Sequence, residues 1–490
     1  MRFSASHGAS VLPSLPTACP GLFYATSAQD GVLSRLRIPG GILNVEQCAA
    51  IASLADQFGG GYLDVTNRAN VQIRASKTGI ALETLRQLQA VGLAAEIAEV
   101  DAIRNIMSSP TAGIDRQESI DTRPFVTRWN RHIIQHPELS VLSAKFSVCF
   151  EGGGLVSVGD RPNDILFYAT QNEFRLALGH GERGESPQDV GVQVHPDECL
   201  PILFALTNVY RQHSLDLLKA DIDRRKPRLR EVLNYLGVEQ YLQAVAQQIR
   251  LRRSPLVPVP KQSTLQSGHL GVQPQRQAGL FYQGIALPLG RLETYQLRGL
   301  AALSAQYGSG EVRLTPWQNV LIPDLPERSL SPVQQGVEGL GLSESKNQLW
   351  GAIVACSGKA GCASSATETK QDAMAVADYL AKKITLDQPL NLHFSGCKKS
   401  CAQHTQSDIT LLGVEKGKNS SEYDIYITSY NTEENTKFGQ KIYQSIRPDH
   451  LPRLIEQMLK AYQAHRRKSS ESWREFTERH TIAQLRQLLG

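Results

Sequence analysis

Apolar and polar positions along the chain follow one pattern twice. Residues 54–73, LADQFGGGYLDVTNRANVQI, and residues 303–322, LSAQYGSGEVRLTPWQNVLI, align without a gap at a shift of 249, with eight identities in twenty positions. In each block the spacing predicts a helix ending at Gly59 or Gly308 and a glycine turn closing at Gly61 or Gly310. A strand through Thr66 and Asn70, or Thr315 and Asn319, follows. Upstream, Gly21-Leu22-Phe23-Tyr24 recurs as Gly279-Leu280-Phe281-Tyr282, and the stretch from Arg35 to Pro39 is strand-like, so each copy opens strand, helix, strand. Downstream, at a shift of 244, Phe150-Glu151-Gly152-Gly153 lies against Phe394-Ser395-Gly396-Cys397 and Asp164-Ile165 against Asp408-Ile409. The chain therefore reads as two related halves joined by the Pro-, Gln- and Ser-rich stretch from Ser254 to Gln277. From Ser472 to Leu489 apolar residues recur at helical spacing, which predicts a packing helix.

Strand alternation between Asn67 and Arg74 puts Arg68, Asn70, Gln72 and Arg74 on one face and Ala69, Val71 and Ile73 on the other. The second copy reads Trp317, Asn319, Leu321 and Pro323 on the donor face, without either arginine. A row of guanidinium forks in one copy alone suits a polyanionic ligand, because each fork binds both oxygens of a carboxylate. Further cations stand at Arg104, before the Ser108-Ser109-Pro110 turn, and at Lys145, leading the apolar strand Phe146 to Phe150.

Composition narrows the class. With 490 residues there is chain for several sizeable cores, and eight Cys are too dilute for a disulfide scaffold. Apolar runs such as Ile51 to Leu54 break well short of the ~20 residues of a membrane span. Nor do the first 20 residues have the basic start and apolar core of a signal peptide. These features predict a soluble, cytoplasmic protein. Net charge is +5, too small a surplus to indicate nucleic acid. Basic residues cluster at Arg224, Arg225, Lys226, Arg228 and Arg230, at Arg250, Arg252 and Arg253, and at Arg466, Arg467 and Lys468. They read as solvated helix faces or as a docking surface for an acidic electron donor.

Four of the eight cysteines crowd into C-x5-C, x34, C-x3-C: Cys356, Cys362, Cys397 and Cys401. Thiolates converging from two tight loops suit an iron-sulfur cluster or a structural zinc. The five-residue gap is loose for zinc, and Gly358, Gly361 and Gly396 allow close backbone approach to a larger object. In the first half Gly153 and Ser157 stand at the places of Cys397 and Cys401, and Met107 falls near that of Cys356, so only the second half carries the thiolate set. Cys19, Cys48, Cys149 and Cys199 read as core.

Val354-Ala355-Cys356 to Cys362, Ser395-Gly396-Cys397-Lys398-Lys399-Ser400-Cys401-Ala402, Arg68-Ala69-Asn70-Val71-Gln72 and Arg104-Asn105-Ile106 together resemble the sirohaem nitrite/sulfite reductase superfamily, over nearly the whole chain. Ala18-Cys19-Pro20-Gly21-Leu22, Arg37-Ile38-Pro39-Gly40-Gly41 and the stretch from Thr66 to Arg74 look most like its precorrin-3B synthase branch. The resemblance implies a mixed α+β and α/β fold in which two ferredoxin-like half-domains form a pseudo-twofold unit, each followed by a reductase-type α/β domain. The boundaries it suggests are a disordered tail at 1–18, half-domain 1 at 19–90, reductase-type domain 1 at 91–253, a linker at 254–277, half-domain 2 at 278–345, and reductase-type domain 2 at 346–490.

It also implies a 4Fe-4S cluster on Cys356, Cys362, Cys397 and Cys401, with the last bridging to sirohaem iron in the reductases. Positions matching Arg68, Arg104 and Lys145 surround the bound anion there. For the synthase branch it implies an O2-dependent monooxygenase that hydroxylates precorrin-3A at C20 with γ-lactone formation. In that case Arg68, Asn70, Gln72, Arg74, Arg104 and Lys145 would bind the tetrapyrrole, and a non-haem iron would accompany the cluster, with His180, His195 and His393 candidates only by residue type. The other expectations are a ferredoxin-dependent nitrite or sulfite reductase with sirohaem, and a non-enzymatic tetrapyrrole carrier or redox sensor. The implied electron donor is ferredoxin or an NAD(P)H-linked reductase. Lys398 and Lys399 replace a Pro-Asn dipeptide of the reductases, and Ser147 stands where sulfite reductases add a second lysine. The second departure counts against sulfite reduction, which needs dense positive charge.

Overall fold

The computed structural model describes residues 21–489 apart from 25, 78, 182–184, 221–224, 260–267, 343–346, 389, 417–419 and 429–437. The tail expected at 1–18, Cys19, Arg224 and part of the linker lie outside the described residues.

The first half-domain carries β1 (Thr26–Ala28), β2 (Gly31–Leu36), β3 (Ile42–Asn44), β4 (Tyr62–Val65) and β5 (Val71–Ser76), with a helix at Val45–Phe58. Asn44 and Gln47 form a reciprocal capping box at the start of that helix. The first α/β domain follows with β6 (Ile106–Ser108), β7 (Val148–Glu151), β8 (Ile165–Thr170), β9 (Glu173–Leu178), β10 (Gln188–Val194) and β11 (Arg252–Arg253). The second half repeats this as β12 (Gly271–Pro274), β13 (Leu280–Ile285), β14 (Arg291–Glu293), β15 (Glu311–Leu314) and β16 (Val320–Pro326). Its α/β domain holds β17 (Ile353–Ala355), β18 (Leu392–Ser395), β19 (Ile409–Lys416), β20 (Ser420–Ile427) and β21 (Gln440–Ile446).

The repeat is structural. β7 and β18 have bounds offset by 244, and β8 and β19 begin at the same offset. Within the repeats the Asn70 carboxamide oxygen accepts from Ile38 N at 2.8 Å, and Asn319 accepts from Leu287 N at 3.0 Å. Asp164 accepts from Ser147 N at 3.0 Å, and Asp408 accepts from Asn391 N at 2.8 Å.

Neither half-domain completes its sheet alone. β14 joins β4 antiparallel with Leu292 opposite Leu63, giving the order β1-β2-β5-β4-β14, and β3 joins β15 with Leu43 opposite Val312, giving β12-β13-β16-β15-β3. All four of these apolar residues are buried in one core shared by both half-domains. At about 1.5–3 kcal/mol for each fully buried large side chain, this exchange fuses the halves into a single unit. Each α/β domain has a separate core.

Two expectations change. The strand read through Thr66 and Asn70 is a hairpin: β4 ends at Val65 and β5 starts at Val71. The Thr66 hydroxyl accepts from Arg68 N and Asn70 N, and Ala69 N donates to Thr66 O, closing a turn in which Ala69 has φ 53°. Gln318 repeats this with φ 62°. Arg68 and Asn70 thus sit at the hairpin tip, off the face they were expected to share with Gln72 and Arg74. Second, β12 lies inside the stretch read as linker and pairs with β13, because Gly271 at φ 70° turns the chain into the sheet. The C-terminal stretch is two short helices, Trp473–Glu478 and Ile482–Leu489, with Trp473, Phe476, Leu485 and Leu489 in the core.

Candidate functional site: two cysteine loops under a hairpin

β17 and β18 are parallel neighbours with Ala355 opposite Phe394, so Cys356 and Cys397 leave the carboxyl ends of adjacent strands. That edge of an open sheet is where α/β folds place ligands. Cys356 N donates to Phe394 O at 3.1 Å, and Gly396 N donates to the Cys356 sulfur at 3.2 Å. A single helical turn, Gly358–Gly361, carries the chain to Cys362. Ala366 N donates to Gly396 O at 2.8 Å and stitches this loop to the next, where Ser400 N turns back to Cys397 O at 3.3 Å. Thr369, first residue of the helix Thr369–Leu380, donates its hydroxyl proton to Cys356 O at 2.8 Å.

The cysteines divide by environment. Cys356, Cys362 and Cys397 are partly exposed and Cys401 is exposed. Cys48, Cys149 and Cys199 are fully buried; desolvation pushes the Cys48 thiol up to about 12 and the other two well above the usual range. These three are inert core thiols, as expected for them. Among the described residues no three His, Cys, Asp or Glu side chains close to the spacing of one metal ion. A four-iron cube holds its thiolates farther apart than the ~3.8 Å implied by Zn–S bonds of about 2.3 Å. The donor set fits such a cluster: four accessible sulfurs on two stitched loops, one already receiving an N–H. Glycine lets the two loops pack this closely, since a Cβ on Gly396 would collide with the Ser365 side chain at 1.8 Å.

The hairpin tip of the first half reaches this site. Asn67 donates its amide to Cys401 O at 3.3 Å. Its neighbour Arg68 points to the first α/β domain, donating to Pro162 O at 2.6 Å and to Asn163 Oδ1 at 3.0 Å. Desolvation lowers the Arg68 pKa, opposed by the negative charge of Asp164. Asn70 is buried and donates to Asn105 Oδ1 at 3.2 Å. Lys145 is exposed at the entrance to β7. Arg68, Asn70 and Lys145 thus gather at the amino ends of β6, β7 and β8.

The other expected cations are placed differently. Arg104 is 1% exposed and its fork is filled by Asp101 at 2.9 Å, Asn130 at 2.9 Å and Gly92 O at 3.0 Å. Its partner Asp101 is also buried, one helical turn back, so this is an internal ion pair. Arg74 is bidentate to Asp30 and donates to Gly361 O. Gln72 faces Arg35, whose guanidinium its amide oxygen accepts in the orientation the hydrogen bonding requires. His180, His195 and His393 belong to separate elements: the end of β9, the start of the helix Pro196–Ala220, and buried β18.

Sequence reading missed the charges that fix the hairpin. Asp64 on β4 meets Lys370 at 2.8 Å and Arg291 at 3.1 Å. Burial pushes its carboxyl up, but the two cations outweigh that and hold it below the usual carboxylate range. The repeat carried a signal, for the residue matching Asp64 is Arg313, a reversal of charge inside an aligned block. Arg313 holds the equivalent loop of the first half, donating to Pro110 O at 3.1 Å and Ala112 O at 2.8 Å.

In the first half Ser109, not Met107, follows β6 as Cys356 follows β17; Met107 lies within β6. Oxygen atoms fill this counterpart site. Ser109 donates to Val156 O, Glu118 accepts from Gly113 N at 2.6 Å, and Glu151 accepts from Val158 N at 2.6 Å. Trp317, at the position matching Arg68, stacks on His269 at 4.5 Å under Arg161 at 4.9 Å. Within the basic clusters several residues are matched by carboxylates: Arg225 by Glu231, Arg252 by Glu173, Arg253 by Glu239 and Arg466 by Asp387.

The family profile described as the nitrite and sulphite reductase 4Fe-4S domain matches residues 99–252 and 348–490, and that of the nitrite/sulfite reductase ferredoxin-like half domain matches 26–91 and 273–340. The chain belongs to the nitrite/sulfite reductase family. Among its relatives, the ferredoxin-nitrite reductase of Synechococcus elongatus is 30% identical over 90% of this chain and 88% of its own length. The chloroplastic ferredoxin-nitrite reductase of Arabidopsis thaliana is 30% identical over 83% and 72%. The solved structure of the Mycobacterium tuberculosis NirA protein matches with a TM-score of 0.74 and 24% identity, over 93% of this chain and 85% of that one. As a family member the chain is an oxidoreductase with a 4Fe-4S domain. No helix among the described residues is long and apolar enough to cross a membrane.

Proposed function

We propose that this chain is a ferredoxin-dependent reductase of nitrite, with Cys356, Cys362, Cys397 and Cys401 holding the 4Fe-4S cluster. The observation that carries this reading is the hairpin tip, where Asn67 touches the Cys401 backbone while Arg68 sets a cation against the first α/β domain. One turn thereby joins the thiolate loops to a cation seated on the first α/β domain. Support also comes from relatives named ferredoxin-nitrite reductase that align along nearly the whole chain. A bound cluster and tetrapyrrole would supply electrons singly, and the protein supplies position and charge. Arg68 and the exposed Lys145 favour an anion at the amino ends of β6 to β8. Sulfite is the poorer candidate, since Ser147 stands where a second lysine is required and hydrogen-bonds to Asp164.

A second reading, hydroxylation of a carboxylate-rich tetrapyrrole of the precorrin-3A kind, is favoured by where the cations stand. Arg104 is locked in its pair with Asp101, and Lys398 and Lys399 place cations beside the cluster loop instead. The visible spectrum of the purified holoprotein separates the two: intense sirohaem bands that change on adding nitrite support the reductase. An iron-sulfur shoulder alone, unaffected by nitrite, contradicts it.

A further inference from the structure

Arg74 does not reach toward a ligand. Its side chain is 4% exposed and lies between Asp30, met by Nε and Nη2 at 2.9 Å each, and the carbonyl of Gly361, met by Nη2 at 2.7 Å. Asp30 belongs to the first half, in the turn between β1 and β2. Gly361 immediately precedes Cys362 in the second half. The guanidinium therefore crosses the interface between halves and ends on the backbone of the cysteine loop.

Three details show that this placement is built. The pairing of β2 with β5 slips between Val32 and Ser34, and Ala75 has φ 59°, a bulge that re-aims the residue before it. A Cβ on Gly361 would stand 2.6 Å from Arg74 Nη2 and 2.9 Å from the Ser357 Cβ, so glycine at this position is what lets the guanidinium sit against the loop. The position matching Arg74 in the second half is Pro323, which has no donor, and the loop it would face in the first half carries Ser109 and Asp115 in place of thiolates.

We infer that Arg74 is a positioning residue for the iron-sulfur cluster, acting through Gly361 to fix the Cys356–Cys362 loop, and that it does not bind tetrapyrrole carboxylates. Asp30 holds the fork, the fork holds the Gly361 carbonyl, and the next residue is a thiolate whose direction follows from that carbonyl's. Hydrogen bonds around metal ligands of this kind orient the ligand and slow its release. The inference rests on the reading that Cys356 and Cys362 ligate the cluster.

The test uses the holoprotein, purified without oxygen, as wild type, Arg74→Gln and Gly361→Ala. The second substitution leaves the arginine present but forces its guanidinium off the carbonyl, so it decides the matter if Arg74→Gln does not fold. Iron and acid-labile sulfide per chain are measured first, then the rate of iron release to a chelator, the electron paramagnetic resonance spectrum of the reduced cluster and the tetrapyrrole absorbance. Iron loss severalfold faster than wild type in both variants, with an altered cluster spectrum, supports the inference. Two results overturn it while leaving the ligand assignment intact: wild-type release and spectra in both variants, or loss of tetrapyrrole absorbance from Arg74→Gln with iron and sulfide unchanged. A wild-type chain lacking iron and sulfide overturns the ligand assignment itself.

Discussion

Asn67 and Cys401 lie 334 positions apart in sequence and share a hydrogen bond of 3.3 Å. The bond joins the arginine-bearing copy of a duplicated domain to the thiolate-bearing copy, at the tip of a turn whose next residue, Arg68, faces the other way. A site assembled like this depends on both halves being present and correctly docked.

The cysteines are expected to separate into two classes on substitution. Cys356→Ser, Cys362→Ser, Cys397→Ser and Cys401→Ser each lower iron and sulfide per chain to near zero with modest effect on the unfolding midpoint of the apoprotein. Cys48→Ser keeps full iron content but loses about 1–3 kcal/mol of stability, the cost of placing a hydroxyl in an apolar core. Iron analysis with urea titration reads both.

Asp64 is expected to be a costly charge to remove. Asp64→Ala leaves Lys370 and Arg291 without their buried partner, and breaking such a pair costs about 3–5 kcal/mol. Because its folded pKa is depressed, the stability Asp64 contributes is present above the ordinary carboxylate range and is lost as pH falls through the folded value. Denaturant midpoints from pH 7 downward should fall for wild type and stay flatter for Asp64→Ala.

Glu118 works in the opposite direction. Burial, chiefly, raises its carboxyl from 4.5 to about 8, while the Gly113 N–H bond partly opposes the rise. Its contribution to stability is fully present below pH 4.5 and is lost as pH rises through about 8. Glu118→Gln keeps an acceptor for Gly113 without the charge, so its melting temperature should exceed wild type at pH 8.5 and approach it at pH 5. Equal melting curves at both pH values would contradict this.

Arg68 and Arg104 are expected to part company despite their shared residue type. Arg104→Met strands Asp101 in the core and should lower stability by about 3–5 kcal/mol, with activity falling in proportion to folded protein. Arg68→Met should leave most of the stability and reduce kcat/KM for nitrite by tenfold or more, measured with saturating reduced ferredoxin.

The duplication was legible because its markers are local. Thr66 and Thr315 accept from the backbone of the same turn, and Asn70 and Asn319 accept from Ile38 and Leu287, so these two repeated letters correspond to repeated hydrogen bonds. The cysteine loops were legible for a similar reason: spacing alone brings thiolates to two adjacent strand ends. The hairpin was not, since the positive φ that breaks the strand falls on Ala69 in one copy and Gln318 in the other, residues with no turn preference. Strand exchange was equally hidden: β3 and β14 are three residues long, and pairing across hundreds of positions leaves no period in the sequence. Arg74 and Arg104 look like ligands as letters, and only their partners, Asp30 and Asp101, show that their charge is already matched.

Product analysis of the anaerobically purified holoprotein with reduced ferredoxin and nitrite tests the reductase reading. Nitrite should disappear and ammonium accumulate one for one, with six ferredoxins oxidised per nitrite. No nitrite consumption, together with an oxygen-dependent product one oxygen heavier than a supplied precorrin-3A, would contradict it and establish the tetrapyrrole hydroxylase instead.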